Sequence, residues 1–224
     1  MRITEIFGSL QGETTRVGTP TAFVRLSGCN LDCAWCDTRY ARRRGSRQSV
    51  AAVVERVRGL GLATACVTGG EPLLQPEAPL LMAALQAAGL DVVLMTNGSV
   101  SLAEVPEGVH KIIDVKSPWS HLPEAPSPRT RLPDHTPFFL TENLGLIGRS
   151  DEVKFVVRNR REFDWAVSWA VRNGLFDRAG AVLAGAAWGT LDPSEVAKWV
   201  IRSRLPLRLN FQVHKALWGG KKGR

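Results

Sequence analysis

A short apolar strand pattern followed by an amphipathic helix pattern recurs along this chain, and that alternation limits its fold more than any other feature. Strand candidates, rich in Val, Ile, Leu and Phe and bounded by Gly, Asn or Pro, are 21–27, 64–68, 91–96, 111–115, 152–157, 181–184 and 207–212. Helix candidates are 49–59, 76–88, 161–173 and 193–204, with Ser49, Asn159 and Asp192 as caps and Gly89 and Gly174 as stops. Such alternation predicts a parallel sheet with right-handed crossovers. Seven strands in 224 residues are too few for an eight-fold barrel. The expected fold is α/β, an incomplete, compacted (β/α) barrel with parallel strands, as one domain over residues 1–224. The stretch 117–137 holds six prolines and is predicted to be a long irregular loop, a candidate lid.

In such a sheet ligands lie at the carboxyl ends of the strands. The unusual residues fall there: Cys29 after the first barrel strand, Gly69-Gly70-Glu71 after the second, Asn97 after the third, Lys116 after the fourth, and Gln212 and His214 at the last. Gln212 and His214, two apart on a predicted strand, are expected to point the same way.

Three of the four cysteines, Cys29, Cys33 and Cys36, lie within eight residues, spaced C-x3-C-x2-C. In a reducing compartment that reads as metal or redox chemistry before disulfides. Iron–sulfur cubanes usually take four cysteines. Three leave one iron with an open position, as a catalytic metal requires. A structural zinc site is the competing reading, and no nearby Cys or His supplies its fourth ligand. Cys66 sits in an apolar strand and reads as a buried small hydrophobe.

Composition excludes other classes. Hydrophobic residues at 44% and charged residues at 22% are ordinary for a globular protein. No apolar run reaches the roughly 18 residues of a membrane span, and the N-terminal stretch lacks the apolar core of a signal peptide, so a soluble, cytoplasmic protein is expected. The net charge of +8 gathers around Arg39, Arg42, Arg43, Arg44 and Arg47 and in the tail. Tyr40 is the only aromatic residue in that basic stretch, so nucleic-acid binding is not the expected role. A basic RNA-binding module with structural zinc is kept as the rival from another class.

The cysteine pattern resembles the radical S-adenosylmethionine superfamily. So do Thr68-Gly69-Gly70-Glu71-Pro72 and Thr96-Asn97-Gly98. Within the superfamily, Phe7 with Leu10-Gln11-Gly12-Glu13, Phe23-Val24-Arg25, Cys36-Asp37-Thr38 and Phe211-Gln212-Val213-His214-Lys215 resemble the 7-carboxy-7-deazaguanine synthase family over essentially the whole chain. A glycyl-radical activase would lack the Leu-Gln-Gly-Glu and Gln-x-His-Lys pairings.

The resemblance implies a lyase of the queuosine pathway that converts 6-carboxy-5,6,7,8-tetrahydropterin to 7-carboxy-7-deazaguanine with loss of ammonia. It implies a [4Fe–4S] cluster on Cys29, Cys33 and Cys36, which with Arg25 form the catalytic set. S-adenosyl-L-methionine would be held by Trp35, Cys36, Asp37, Gly69, Gly70, Glu71 and Asn97, with Asp114 and Lys116. Magnesium (Mg2+) would take the Thr38 hydroxyl. The pterin would lie among Leu10, Gln11, Gly12, Glu13, Arg25, Thr68, Gln212 and His214, its carboxylate forked by Arg25. Lys154 would touch either ligand, and the 184–187 loop would offer backbone only. A homodimer, and a one-electron donor such as flavodoxin, complete the expectation.

Overall fold

The first element departs from the expected pattern. Arg2–Leu10 form strand β1, antiparallel to β2 (Pro20–Leu26), with a shift of register between Ile3 and Glu5. A two-residue strand β3 (Ser46–Arg47) pairs antiparallel with the start of β1. The computed structural model describes residues 1–219, 221 and 223. From β2 onward the sheet is parallel, through β4 (Thr64–Gly69), β5 (Asp91–Thr96), β6 (His110–Asp114), β7 (Glu152–Val157), β8 (Ala181–Ala186) and β9 (Leu207–Leu209). The strand order is β3-β1-β2-β4-β5-β6-β7-β8-β9, and the barrel is not closed among the described residues. The expected all-parallel sheet is thus corrected at its N-terminal edge, where a hairpin needs no crossover helix.

The helices form where caps and periodicity place them. Ser49 accepts from Ala52 N at 3.2 Å to start α1 (Val50–Arg58). The second helix, α2, spans Ala78–Ala87. Asn159 accepts from Glu162 N at 3.0 Å to start α3 (Arg160–Arg172). Gly174, at φ +60°, turns the chain into the one-turn α4 (Leu175–Arg178). Asp192 accepts from Ser194 N at 2.8 Å ahead of α5 (Pro193–Ser203). Neither the β5–β6 nor the β6–β7 crossover contains an α-helix, which is what compacts the barrel. The proline-rich stretch fills the second of these gaps and is irregular, as predicted.

One predicted strand is shorter than expected. The sheet ends at Leu209 because Asn210 turns inward, its N donating to Ala184 O and its Oδ1 accepting from Thr14 N, both at 2.8 Å. Gln212 then caps a final helix, α6 (Val213–Trp218). Gln212 and His214 are therefore not on a strand face.

The sheet's outer face carries two cores. Ala22, Val24 and Leu26 of β2 pack with α1 and α2, while Val153, Phe155 and Val157 of β7 pack with Trp165 and Trp169 of α3. The concave face begins as an apolar floor of Phe23, Cys66, Val93 and Ile112. Two residues further along three of these strands the side chains turn polar, Arg25 after Phe23, Thr68 after Cys66 and Asp114 after Ile112, while β5 continues with Met95. That switch in the period-2 pattern makes the carboxyl rim of the sheet a site rather than more core.

Candidate active site

A cavity of about 260 Å³ opens at this rim. Every residue singled out from the sequence lines it except Glu71. Its walls come from both ends of the chain and from the carboxyl ends of β2, β4, β5, β6 and β7.

The cysteine loop forms one wall. It leaves β2 and crosses the end of β4, and the two glycines there are required by that crossing. A Cβ on Gly70 would lie 2.1 Å from Gly28 O and 2.6 Å from Cys29 Cβ, and one on Gly69 would lie 2.6 Å from Leu26 O. Glu71 N donates to Gly28 O at 2.8 Å. The Glu71 carboxylate is fully buried and accepts from Leu73 N, Thr96 Oγ1 and Asn97 N at 3.1, 2.8 and 2.7 Å. It bolts the end of β4 to that of β5, and burial pushes its pKa up. The structure therefore brings Gly69, Gly70 and Asn97 to the cavity and sets the Glu71 carboxylate behind it.

Cys29, Cys33 and Cys36 all reach the cavity and form no disulfide. Burial raises the thiol pKa of Cys29 and Cys33, so ligation would have to displace their protons. Cys66 lies on the apolar floor, fully buried, its pKa pushed up to about 12 by burial. It is four residues down β4 from Gly70, roughly 13 Å at 3.3 Å per residue, and is not a fourth member of the set. Among the described residues no three His, Cys, Asp or Glu side chains converge as ligands of a single ion. Trp35 lines the same wall, its Nε1 buried with no partner among the described residues. Thr38 Oγ1 is 3.8 Å from Cys36 Sγ. Asp37 pairs with Lys215 at 3.0 Å, and although burial opposes it, Lys215 keeps the Asp37 pKa low.

A buried ionic chain lines a further part of the cavity. Lys154 contacts Glu13 Oε2 and lies 3.0 Å from Asp114 Oδ2; Asp114 also pairs with Lys116 at 2.9 Å. The Gln212 amide donates to Glu13 Oε1. Burial alone would raise Glu13 and Asp114, but Lys154 with the Gln212 amide outweighs it at Glu13, and Lys116 with Lys154 at Asp114, so both lie below the ordinary carboxylate range. Asp114 in turn raises the Lys116 pKa against burial.

Arg25 stands in β2 opposite Glu5 of β1, and its Nε donates to Glu5 Oε1 at 2.7 Å. Tyr40 Oη donates to the same oxygen at 2.6 Å. The Arg25 Nη atoms make no hydrogen bond among the described residues, so that edge of the guanidinium is left for a ligand. Gln11 Nε2 is likewise buried without a partner, while Gln11 Oε1 accepts from Gly12 N at 3.1 Å. Gly12 has less room for a side chain than any other described glycine. Val213 N donates to Gly12 O at 2.9 Å, and a Cβ on Gly12 would lie 1.9 Å from His214 Nδ1. Burial depresses the His214 pKa and keeps the ring neutral near neutrality.

Sequence reasoning missed Trp188, which is 47% exposed and brings an indole to the cavity mouth just beyond the loop expected to offer backbone only. It gave no site role to Phe7, named only within a motif, or to Arg42, named only within the basic stretch, and it missed Met95; all three line the cavity. Phe7 stacks on Phe23 with centroids 5.3 Å apart, and that pairing across β1 and β2 shows only once the hairpin is known. The terminal carboxylate at Arg224 lies outside the described residues.

Comparison with known proteins gives this site its class. Residues 23–137 match the model of the Radical SAM superfamily, and that stretch holds the cysteine loop and the Gly69-Gly70-Glu71 crossing. The fold and site are those of a radical SAM enzyme. The curated 7-carboxy-7-deazaguanine synthase of Koribacter versatilis (strain Ellin345) is 38% identical, with 97% of each chain covered. That of Chlorobaculum tepidum is 36% identical over 97% of this chain and 94% of its own. The chain belongs to the 7-carboxy-7-deazaguanine synthase family. The crystal structure of QueE from Escherichia coli superposes with a TM-score of 0.73 at 21% identity, over 95% and 94% of the two chains, and shares the fold. No helix among the described residues is long and apolar enough to cross a membrane.

Proposed function

We propose that this chain, as one partial-barrel domain, converts 6-carboxy-5,6,7,8-tetrahydropterin to 7-carboxy-7-deazaguanine and ammonia. The observation that carries the reading is that the three cysteines, Leu10–Glu13, Gln212 and His214 all line one cavity. The donor set fits a [4Fe–4S] cluster: three thiols on one loop, spread rather than converging on a point, with no fourth protein ligand among the described residues. When bound there with S-adenosylmethionine, such a cluster supplies an electron that splits the cofactor and gives a carbon-centred radical.

The residues of the chain orient and neutralise. The open Nη edge of Arg25 suits a planar carboxylate, and Glu5 fixes the guanidinium plane from behind. The buried Gln11 amide suits a carbonyl or ring nitrogen of the pterin. Glu13 is kept ionised by Lys154 and serves as acceptor for the pterin's ring N–H groups. Asp114 and Lys116, with Trp35 and Asp37, stand on the side of the cysteines and suit the polar groups of S-adenosylmethionine. Thr38 suits magnesium, which takes few protein oxygens and the rest from substrate and water. The reading extends to a homodimer in the cytoplasm, reduced by a one-electron donor such as flavodoxin.

Anaerobic reconstitution should give about four irons per chain. Incubation with the pterin, S-adenosylmethionine and reductant should give a product lighter by one ammonia. Cys33→Ala should lose both iron and turnover. One tight zinc with no iron, or turnover retained in Cys33→Ala, would refute the proposal.

A further inference from the structure

Arg158 follows β7, is nearly buried, and does not line the cavity. Its in-plane donors are all engaged. Nε and Nη2 donate to Glu162 Oε1 at 3.1 and 2.7 Å, Nη2 also to Trp119 O at 2.9 Å, and Nη1 to Leu122 O at 2.7 Å. Glu162 is itself held by Ser117 Oγ at 3.2 Å and by the Arg158 backbone N at 2.7 Å. With every edge occupied, the guanidinium plane cannot turn. Its Cζ lies over the ring of Trp35, 4.6 Å from the centroid. Trp35 stands between Cys33 and Cys36, has a buried Nε1 without a partner, and lines the cavity. The adjacent Ala34 N donates to Ser120 O at 2.8 Å, so the cysteine loop and the proline-rich strap 117–137 meet around this one guanidinium.

We propose that Arg158 is the positioning residue for Trp35: it fixes the indole plane that forms the cofactor wall and ties that wall to the strap. The inference rests on the reading that S-adenosylmethionine binds beside Trp35. Among the described residues the indole's only polar atom has no hydrogen-bond partner, so no hydrogen bond sets its plane. A cation over an aromatic face in a desolvated place is strong enough to hold a ring. A lysine at this position keeps the charge beside Glu162 but offers neither the flat face nor the fork to two strap carbonyls.

The test uses cluster-loaded protein and equilibrium binding of S-adenosylmethionine under anaerobic conditions. Arg158→Lys should weaken binding about tenfold with iron content unchanged. Arg161→Ala removes a different strap anchor, the bond from Arg161 Nε to Thr130 O, and should leave binding within about twofold. In Trp35→Phe the effect of Arg158→Lys should shrink to about twofold, since the two act as one unit. Trypsin cleavage at the exposed Arg129 and Arg131 of the strap should quicken in Arg158→Lys and slow on cofactor addition only in the parent. Unchanged binding in Arg158→Lys, equal loss in Arg161→Ala, or additive losses with Trp35→Phe would each overturn the proposal. A loaded parent that binds no S-adenosylmethionine would instead sink the functional reading beneath it. Arg158→Met leaves Glu162 buried and uncompensated, so the lysine variant is the informative one.

Discussion

Replacing Lys154 by methionine removes a buried charge at nearly constant volume, and its consequences can be worked out group by group. Lys154 is 4% exposed and Glu13 6%. Asp114 keeps a second cation, since Lys116 remains 2.9 Å away. Glu13 keeps only the Gln212 amide. Breaking one partner out of a buried pair costs about 3–5 kcal/mol, which for a chain of this length is a fall in Tm of roughly 6–20 °C. The pH dependence separates this cause from a packing defect. In the parent, the Glu13 pKa is lowered, so its contribution is present above the ordinary carboxylate range and is lost only as pH falls through the folded value. In the variant burial is opposed only by the Gln212 amide, so the Glu13 pKa rises above the parent's and the native state holds its proton to higher pH. Stability is then lost as pH rises, by about 1.4 kcal/mol per unit. Urea unfolding of cluster-loaded parent and Lys154→Met at pH 6, 7 and 8 reads the difference directly. It should widen steadily towards pH 8. A difference constant across those three values would show that Glu13 does not depend on Lys154 for its charge, and the electrostatic account of that wall would fall.

Three further substitutions test other joints. Gly12→Ala places a methyl 1.9 Å from His214 Nδ1, so α6 must move off the cavity; overpacking of about 1–3 kcal/mol should appear in Tm, with a larger loss in turnover. Gly70→Ala drives a Cβ into Gly28 O and Cys29 Cβ, and iron per chain after reconstitution should fall well below the parent's; full iron content would show that the cysteine loop gives way without harm. Glu71→Gln replaces one acceptor oxygen by a donor facing bound N–H or O–H groups, costing about 1–3 kcal/mol. Calorimetry should show that loss while cofactor affinity changes little, and the reverse pattern would put the carboxylate in direct contact with the cofactor.

The parts of the site that were legible in the sequence are those fixed by local spacing. The cysteine loop and Gly69-Gly70-Glu71 sit at strand ends, and a strand followed by a capped helix is read from adjacent residues. The face of Arg25 was not legible. Strand β2 is buried on both faces from Thr21 to Val24, so no alternation marks the luminal side. Only the pairing with Glu5 and the apolar floor beneath it set the direction. Strand β1 escaped for the opposite reason: most of its residues are half-buried, which gives neither a continuous apolar run nor a clean alternation.

Gln212 and His214 show how a conclusion can stand on the wrong geometry. Both line the cavity, yet not because they alternate on a strand, since Gln212 caps α6 and His214 lies in its first turn. What brings them in is a contact some two hundred residues away in sequence. Gly12, lacking a side chain, lets the His214 ring close over its Cα while its carbonyl takes the Val213 N–H. The same junction places Glu13 where the Gln212 amide and Lys154 reach it together. A glycine read locally is only a turn candidate, and its partner cannot be named from neighbouring residues. The junction of Gly12 with Val213 and His214 is therefore the feature that adds a wall to the rim of the open sheet. It is also why the substrate side of the cavity depends on long-range packing, whereas the cysteine side is assembled from a short loop and the strand ends it crosses.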